Sequence, residues 1–318
     1  MTETHELYQL SAEGVRRAIN ALGSAQTPEW LRPCLDKPKS FFDSVGESLH
    51  MQATGRSLLF SAFGIHLLLA DKGAEAALKS CNAKKLYRKI VFSSTPKKDE
   101  EISRELRGSA TMKIKDDDRF ETGSGNVIVC SPHGAHIFPS APADSWRLKM
   151  LPQDAKKTIY CTLLALAYTI KAQELLLRAI EAHERGDAEA MIGARNAIHA
   201  FDLKYFFANP VKMEVAETHA LWQLAARHSN VHGAHREIKE QVTGLADIIE
   251  SQRRDEEAKR REAEAERHRA AERREQQQRE RDEERRRQFD RKLNIAGIIF
   301  ALLSVFSILN DIRQLFGI

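Results

Sequence analysis

Cysteine is scarce in this 318-residue sequence, and the four present, Cys34, Cys81, Cys130 and Cys161, lie far apart. No Cys-x-x-Cys pair suggests zinc and no dense framework suggests a disulfide scaffold, so reduced, structural thiols are expected. Nine prolines and 16 glycines are too few for a collagen-like or low-complexity chain. The opening residues, MTETHELYQLSAEGVRR, lack a basic stretch leading into an apolar core, so no secretory signal is expected. Walker-lysine and Rossmann fingerprints are absent too, and no Ser/His/Asp or paired-carboxylate pattern stands out. Enzymatic activity is therefore disfavoured, and no cofactor and no catalytic residue are expected.

What is present is charge, unevenly spread. Residues 253–292 hold 16 Lys/Arg and 13 Asp/Glu, nearly a third of all the charges in the chain. Acid precedes base by four residues at Asp255/Lys259, Glu256/Arg260, Glu275/Arg279 and Glu283/Arg287, the favourable order on a helix. With no apolar face, this segment is expected to be a solvated helical strut. The strongest local imbalance lies at 84–115, where ten basic residues face four acidic ones. Lys84, Lys85, Arg88, Lys89, Lys97, Lys98, Lys113 and Lys115 make that region a candidate surface for a nucleotide or oligonucleotide, with Tyr87 and Phe92 available to stack a base.

The periodicity predicts a mainly α protein with a small β-hairpin element, and a long charged helix ending in one transmembrane helix. Residues 1–150 read as a mostly helical cytosolic domain, including a buried helix over the apolar run Ser57–Ala70 and a further helix over 74–92. The β insertion is placed at 111–140, where Val127–Cys130 and Ala135–Phe138 read as a hairpin. Helix returns over 151–250. Steps of three and four link Leu221, Leu224, Val231, Ile238, Val242, Leu245 and Ile249 into a heptad seam suited to self-association, with a helical hairpin inside one chain as the alternative. His228 and His235 occupy two further seam positions.

Between Lys292 and Asp311 the chain runs for 18 residues without a formal charge, LNIAGIIFALLSVFSILN. At 1.5 Å per residue that is about 27 Å, close to the thickness of a bilayer core. A transmembrane helix is expected at 293–310, followed by a short tail at 311–318. Basic residues crowd its near side, so a single-pass inner-membrane protein with its bulk in the cytoplasm is expected. Asn294, Gly297, Ala301, Ser304, Ile308 and Asp311 form a small and polar stripe that would line a pore if several copies assembled around an axis. A membrane-anchored scaffold with a helical spacer is the alternative. A metal-dependent enzyme built on Cys130, His133 and His136 is a third, although no metal site is committed to.

Taken together, a cytosolic domain, a charged helix and one terminal span resemble the layout of CorA-type channels from about Asp154 onward, without their second span or Gly-Met-Asn signature. The layout is more similar to single-span membrane effectors of bacterial anti-phage defence, including the channel subunit of Hailong-type systems. That resemblance implies a homo-oligomeric pore gated by a nucleic-acid ligand that a companion nucleotidyltransferase makes.

Overall fold

Strands buried on both faces carry unbroken apolar runs, so the alternation that marks a half-exposed strand is missing from them. The segment expected as a buried helix is of this kind. In the computed structural model, Leu58–Ala62 (β3) and Ile65–Asp71 (β4) form an antiparallel hairpin whose two-residue turn is Phe63-Gly64, at φ 57° and 78°. The structure describes residues 2–22, 50–51, 57–71, 78, 81–142, 145–211 and 215–316. Cys34 lies outside them.

The hairpin belongs to an eight-stranded mixed sheet. The other strands are Thr2–Leu10 (β1), His50–Met51 (β2), Lys84–Ser93 (β5), Arg119–Glu121 (β6), Asn126–Ser131 (β7) and Gly134–Pro139 (β8), in the order β2-β3-β4-β1-β5-β8-β7-β6. Every neighbouring pair is antiparallel except β5 and β8. The expected hairpin at 127–138 is present as β7–β8, while the helix expected over 74–92 gives way to β5.

Helices cover both faces. On one side Leu7, Phe60, Leu67, Ile90, Ile128 and Ile137 meet the 40-residue helix Ser145–Glu184 (α3) through Tyr160, Leu163, Leu164 and Tyr168. Each fully buried side chain of this size contributes about 1.5–3 kcal/mol. On the other side Ala12–Leu22 (α1) covers Tyr8, Leu10, Leu59 and Leu68, and Asp99–Arg107 (α2) covers Val91, Val129 and Phe138. Ala188–Lys204 (α4) and Ala216–His228 (α5) complete the layer around α3. Phe63, at the hairpin tip, stacks on Tyr168 at 4.9 Å, and Tyr168 in turn meets Phe201, Phe206 and Trp222. Trp222 Nε1 donates to the Ala208 carbonyl at 2.8 Å, so the cluster is closed by a hydrogen bond as well as by packing.

Five of the seven heptad residues pack inside the chain. Helix α5 stops at His228, Ser229-Asn230 makes an elbow with Asn230 at φ 55°, and Val231–Phe316 (α6) begins. Leu221, Leu224, Val231 and Ile238 are all buried in the α3 core, and Ile249 lies half-buried against it. The side chains of Val242 and Leu245 lie outside the described residues.

The chain divides into two units, residues 1–249 and 250–318. In the second, helix α6 carries exposed intrahelical pairs such as Glu275–Arg279 and Glu283–Arg287, as the charge order predicts. The membrane-spanning expectation is overturned. Among the described residues no helix is long and apolar enough to cross a membrane. With the span fall the single-pass, inner-membrane placement and the pore or ion channel lined by Asn294, Gly297, Ala301, Ser304, Ile308 and Asp311. The side chains of Ile308 and Asp311 lie outside the described residues. The expectation of a mainly α fold with one small hairpin is corrected as well, to a mixed sheet between two helical layers.

One buried carboxylate fastens sheet to helix. Asp154 of α3, 1% exposed, accepts from Thr122 Oγ1 at 3.0 Å, from Asn126 Nδ2 at 2.9 Å and from Ser124 Oγ. Substitution of Asp154 by Ala leaves three buried donors without their acceptor and is expected to cost about 3 kcal/mol. Urea unfolding reads this as a lowered midpoint with an unchanged slope.

Candidate ligand-binding site

Strand β5 carries four of the eight lysines and arginines that suggest a ligand surface, Lys84, Lys85, Arg88 and Lys89, but the fold distributes them. Lys85 is 2.8 Å from the buried Glu6, and Lys97 is 3.0 Å from Glu105. Lys89 Nζ donates to the Glu105 carbonyl at 3.3 Å. Burial pushes the Glu6 carboxyl up, but hydrogen bonds from Lys85 and Tyr8 outweigh it and hold the group below its usual range. Glu105 behaves likewise, with Lys97 and His136 as its donors. Lys84, Lys98, Lys113 and Lys115 are exposed at separate points. Phe92 packs edge-on against His5 at 5.4 Å. The expected basic patch is thus partly consumed by internal ion pairs.

Cys130, His133 and His136 are not brought together. Successive side chains along a strand point to opposite faces. Cys130 lies in the core under α3, while His136, fully buried, faces α2 and meets Glu105. Burial pushes the Cys130 thiol up to about 12, which disfavours the thiolate a metal needs. Among the described residues no group of three His, Cys, Asp or Glu side chains could hold a metal ion.

A different cluster forms where β5 meets the β7–β8 turn. Pairing of β1 with β5 shifts register between Glu6 and Tyr8, and the residue opposite the shift, Tyr87, takes a left-handed φ of 55°. Its ring is thrown outward, 79% exposed. Beside it β8 begins at Gly134, φ 131°, where a Cβ would stand 1.8 Å from the Lys89 carbonyl. Only glycine permits this approach. It sets His133 against β5, with Lys89 N donating to the His133 carbonyl at 2.9 Å.

The remaining members come from the end of α5 and the 3₁₀ turn Asp116–Asp118. Arg88 Nη1 donates to Ser229 Oγ at 3.1 Å. Arg227 donates to the Asp117 carbonyl, with its guanidinium 3.8 Å from Asp118 Oδ1. His228 Nε2 is 3.2 Å from the same carboxylate, though not aligned as a hydrogen bond. Among the described residues no carboxylate lies within ion-pair distance of Arg88. Burial pulls its guanidinium below its ordinary value. His133 is lowered by burial and by Arg107 and Arg88. His228 is lowered mainly by burial, with Arg227 and Arg88 opposing the pull of Asp118.

Arg88, Arg107 and Arg227 therefore act on His133 and His228, with Asp118 as the counter-charge in contact with Arg227 and His228, and Tyr87, next to Arg88 in sequence, is exposed. Such a surface can accept an oxyanion and stack a planar ring. Of the residues expected from sequence, Arg88 and Tyr87 belong to it. Arg107 belongs to the basic run at 84–115 as well, His133 and His228 carry the sequence expectations of a metal triplet and a heptad seam instead, and Arg227 and Ser229 are reached by no pattern except the Ser229-Asn230 helix break. No protein-family model, no curated protein and no solved structure matches this chain.

Four imidazoles in this fold, His66, His133, His136 and His228, hold their protons less tightly than the usual value of 6.5. The unfolded chain therefore protonates first as pH falls. Stability is present in full above about 6.5 and declines below it. Thermal unfolding is expected to show a midpoint that is level from pH 8 to 7 and drops between pH 6.5 and 5. A midpoint unchanged to pH 5 would contradict the burial of these rings.

Proposed function

We propose that the unit ending at Ile249 is a binding module for a phosphate-bearing ligand, a nucleotide or an oligonucleotide, and that the chain acts by binding rather than catalysis. The observation that carries this reading is Arg88, a partly desolvated guanidinium whose hydrogen-bond partner among the described residues is the neutral hydroxyl of Ser229. A buried cation without a counter-ion is costly, and an incoming phosphate removes that cost. Arg107 and Arg227 supply further positive charge, and Tyr87 supplies a stacking face.

A second reading concerns the other unit. Leu293, Ile295, Ile298, Ile299, Phe300, Leu302, Leu303 and Val305 are each more than half exposed. An area on the order of 800 Å² per partner makes a standard interface, and eight such side chains approach it. The adjoining segment carries near-balanced charge, so copies brought together would not repel strongly. These side chains are covered by other copies of the chain, which gives a homo-oligomeric scaffold with a helical spacer.

Calorimetric titration with adenosine triphosphate and with inorganic pyrophosphate tests the first reading. Arg88→Met should weaken both at least tenfold. Tyr87→Ala should weaken the nucleotide about tenfold or more and leave pyrophosphate unchanged, since stacking contributes about 1–3 kcal/mol per base. Absence of heat with either ligand would refute the module. For the second reading, light scattering should find oligomers for the full chain and monomers for a chain ending at Lys292. A full chain that stays monomeric, or that partitions into lipid vesicles instead of self-associating, would refute it.

A further inference from the structure

Half of the anion surface belongs to the sheet and half to the elbow from which α6 starts. Arg88 stands on β5, whereas Arg227, His228 and Ser229 form the end of α5 and the first elbow residue. Ser229 N and Asn230 N donate to the Ala225 and Arg227 carbonyls, Val231 is buried in the core, and two side chains from other elements reach the elbow. Thr169 Oγ1 of α3 donates to the Ser229 carbonyl at 2.7 Å, and Arg88 donates to the Ser229 hydroxyl at 3.1 Å. Asn230 stays left-handed at φ 55° with its side chain folded over Gly233, where a Cβ would come within 2.2 Å of Asn230 Oδ1. On the outer side the elbow is tied to the 3₁₀ turn through Arg227 and the single carboxylate Asp118.

Two donors here are left over. Ser229 is 4% exposed, and among the described residues its hydroxyl accepts from Arg88 without a hydrogen-bond acceptor for its own proton. Arg88 spends one N–H on that hydroxyl out of the five a guanidinium carries. Arg227, two residues before Ser229 and about half exposed, acts with Arg88 on the same imidazole, His228. A phosphate seated among them would take hydrogen bonds from a strand residue and from elbow residues at once, and charge-assisted bonds of this kind are the strong ones.

Resting on the binding module proposed above, we infer that the ligand's phosphate bridges Arg88 of β5 and Arg227 of the elbow, so that occupancy locks the turn from which α6 departs. The site then reports its ligand through the order of the elbow. The direction follows from the geometry: Arg88 keeps its bond to Ser229 and adds the phosphate with its remaining N–H groups, so the elbow gains a tie and loses none.

Hydrogen exchange on the full chain, with and without saturating pyrophosphate, tests this alongside calorimetry of the same samples. Amides 229–235 should exchange at least tenfold more slowly with ligand bound. In Arg227→Gln, a change at an exposed side chain, pyrophosphate should still bind through Arg88, several-fold more weakly, and the slowing should disappear. Binding with unchanged or faster exchange at the elbow would overturn the lock while leaving the binding module standing. Slowing that persists in Arg227→Gln would overturn it too, and no binding at all would overturn both.

Discussion

The approach of β8 to β5 at Gly134 is the contact on which the rest of this unit depends. A parallel pair cannot be closed by a tight turn, so the chain must leave β5, build α2, the 3₁₀ turn, β6 and β7, and return as β8. The return brings β8 alongside the second half of β5, from Lys89 onward. The 3₁₀ turn contributes Asp118, the β7–β8 turn contributes His133, and α2 contributes Arg107. A side chain at 134 would collide with the Lys89 carbonyl and part the two halves of the sheet.

Polar groups withdrawn from water in this molecule fall into two kinds. Asp154 has donors for its carboxylate, and Glu6 and Glu105 have lysine or histidine partners, so these groups specify how sheet and helices fit. Even there His136 is incomplete, since its Nε2 meets Glu105 while Nδ1 is buried without a hydrogen bond. Arg88 is of the other kind, partly desolvated with a neutral hydroxyl as its partner. Complete networks hold a fold, whereas an incomplete cationic one has chemistry left to offer.

Local patterns in the sequence reached some of this and not the rest. The β7–β8 hairpin, the α3 helix and the charged run of α6 are visible because each repeats its own period. Ser57–Ala70 misled because strands covered on both faces show no alternation, and its turn is Phe63-Gly64 rather than an asparagine-glycine pair. The apolar segment after Lys292 misled because 18 residues without a formal charge read as a span, whereas among the described residues no helix is long and apolar enough to cross a membrane. The candidate surface was partly legible: Arg88 and Arg107 sit in a basic run, but a helix end and elbow 141 residues after Arg88 supply Arg227, His228 and Ser229. Leu221, Leu224, Val231 and Ile238 fit a self-association seam equally well, and only the position of α3 shows that their partner is within the chain.

Hairpin tips are commonly where a fold is most forgiving, because they lie in solvent and can be lengthened, nicked or replaced. The β3–β4 tip is the reverse. Phe63 is 7% exposed and stacked among Tyr168, Phe201 and Tyr205, so a two-residue connector works here as a wedge between layers. Evolution could not graft a recognition loop at this corner without opening the aromatic cluster, and any diversification of the molecule has to be carried by its other loops.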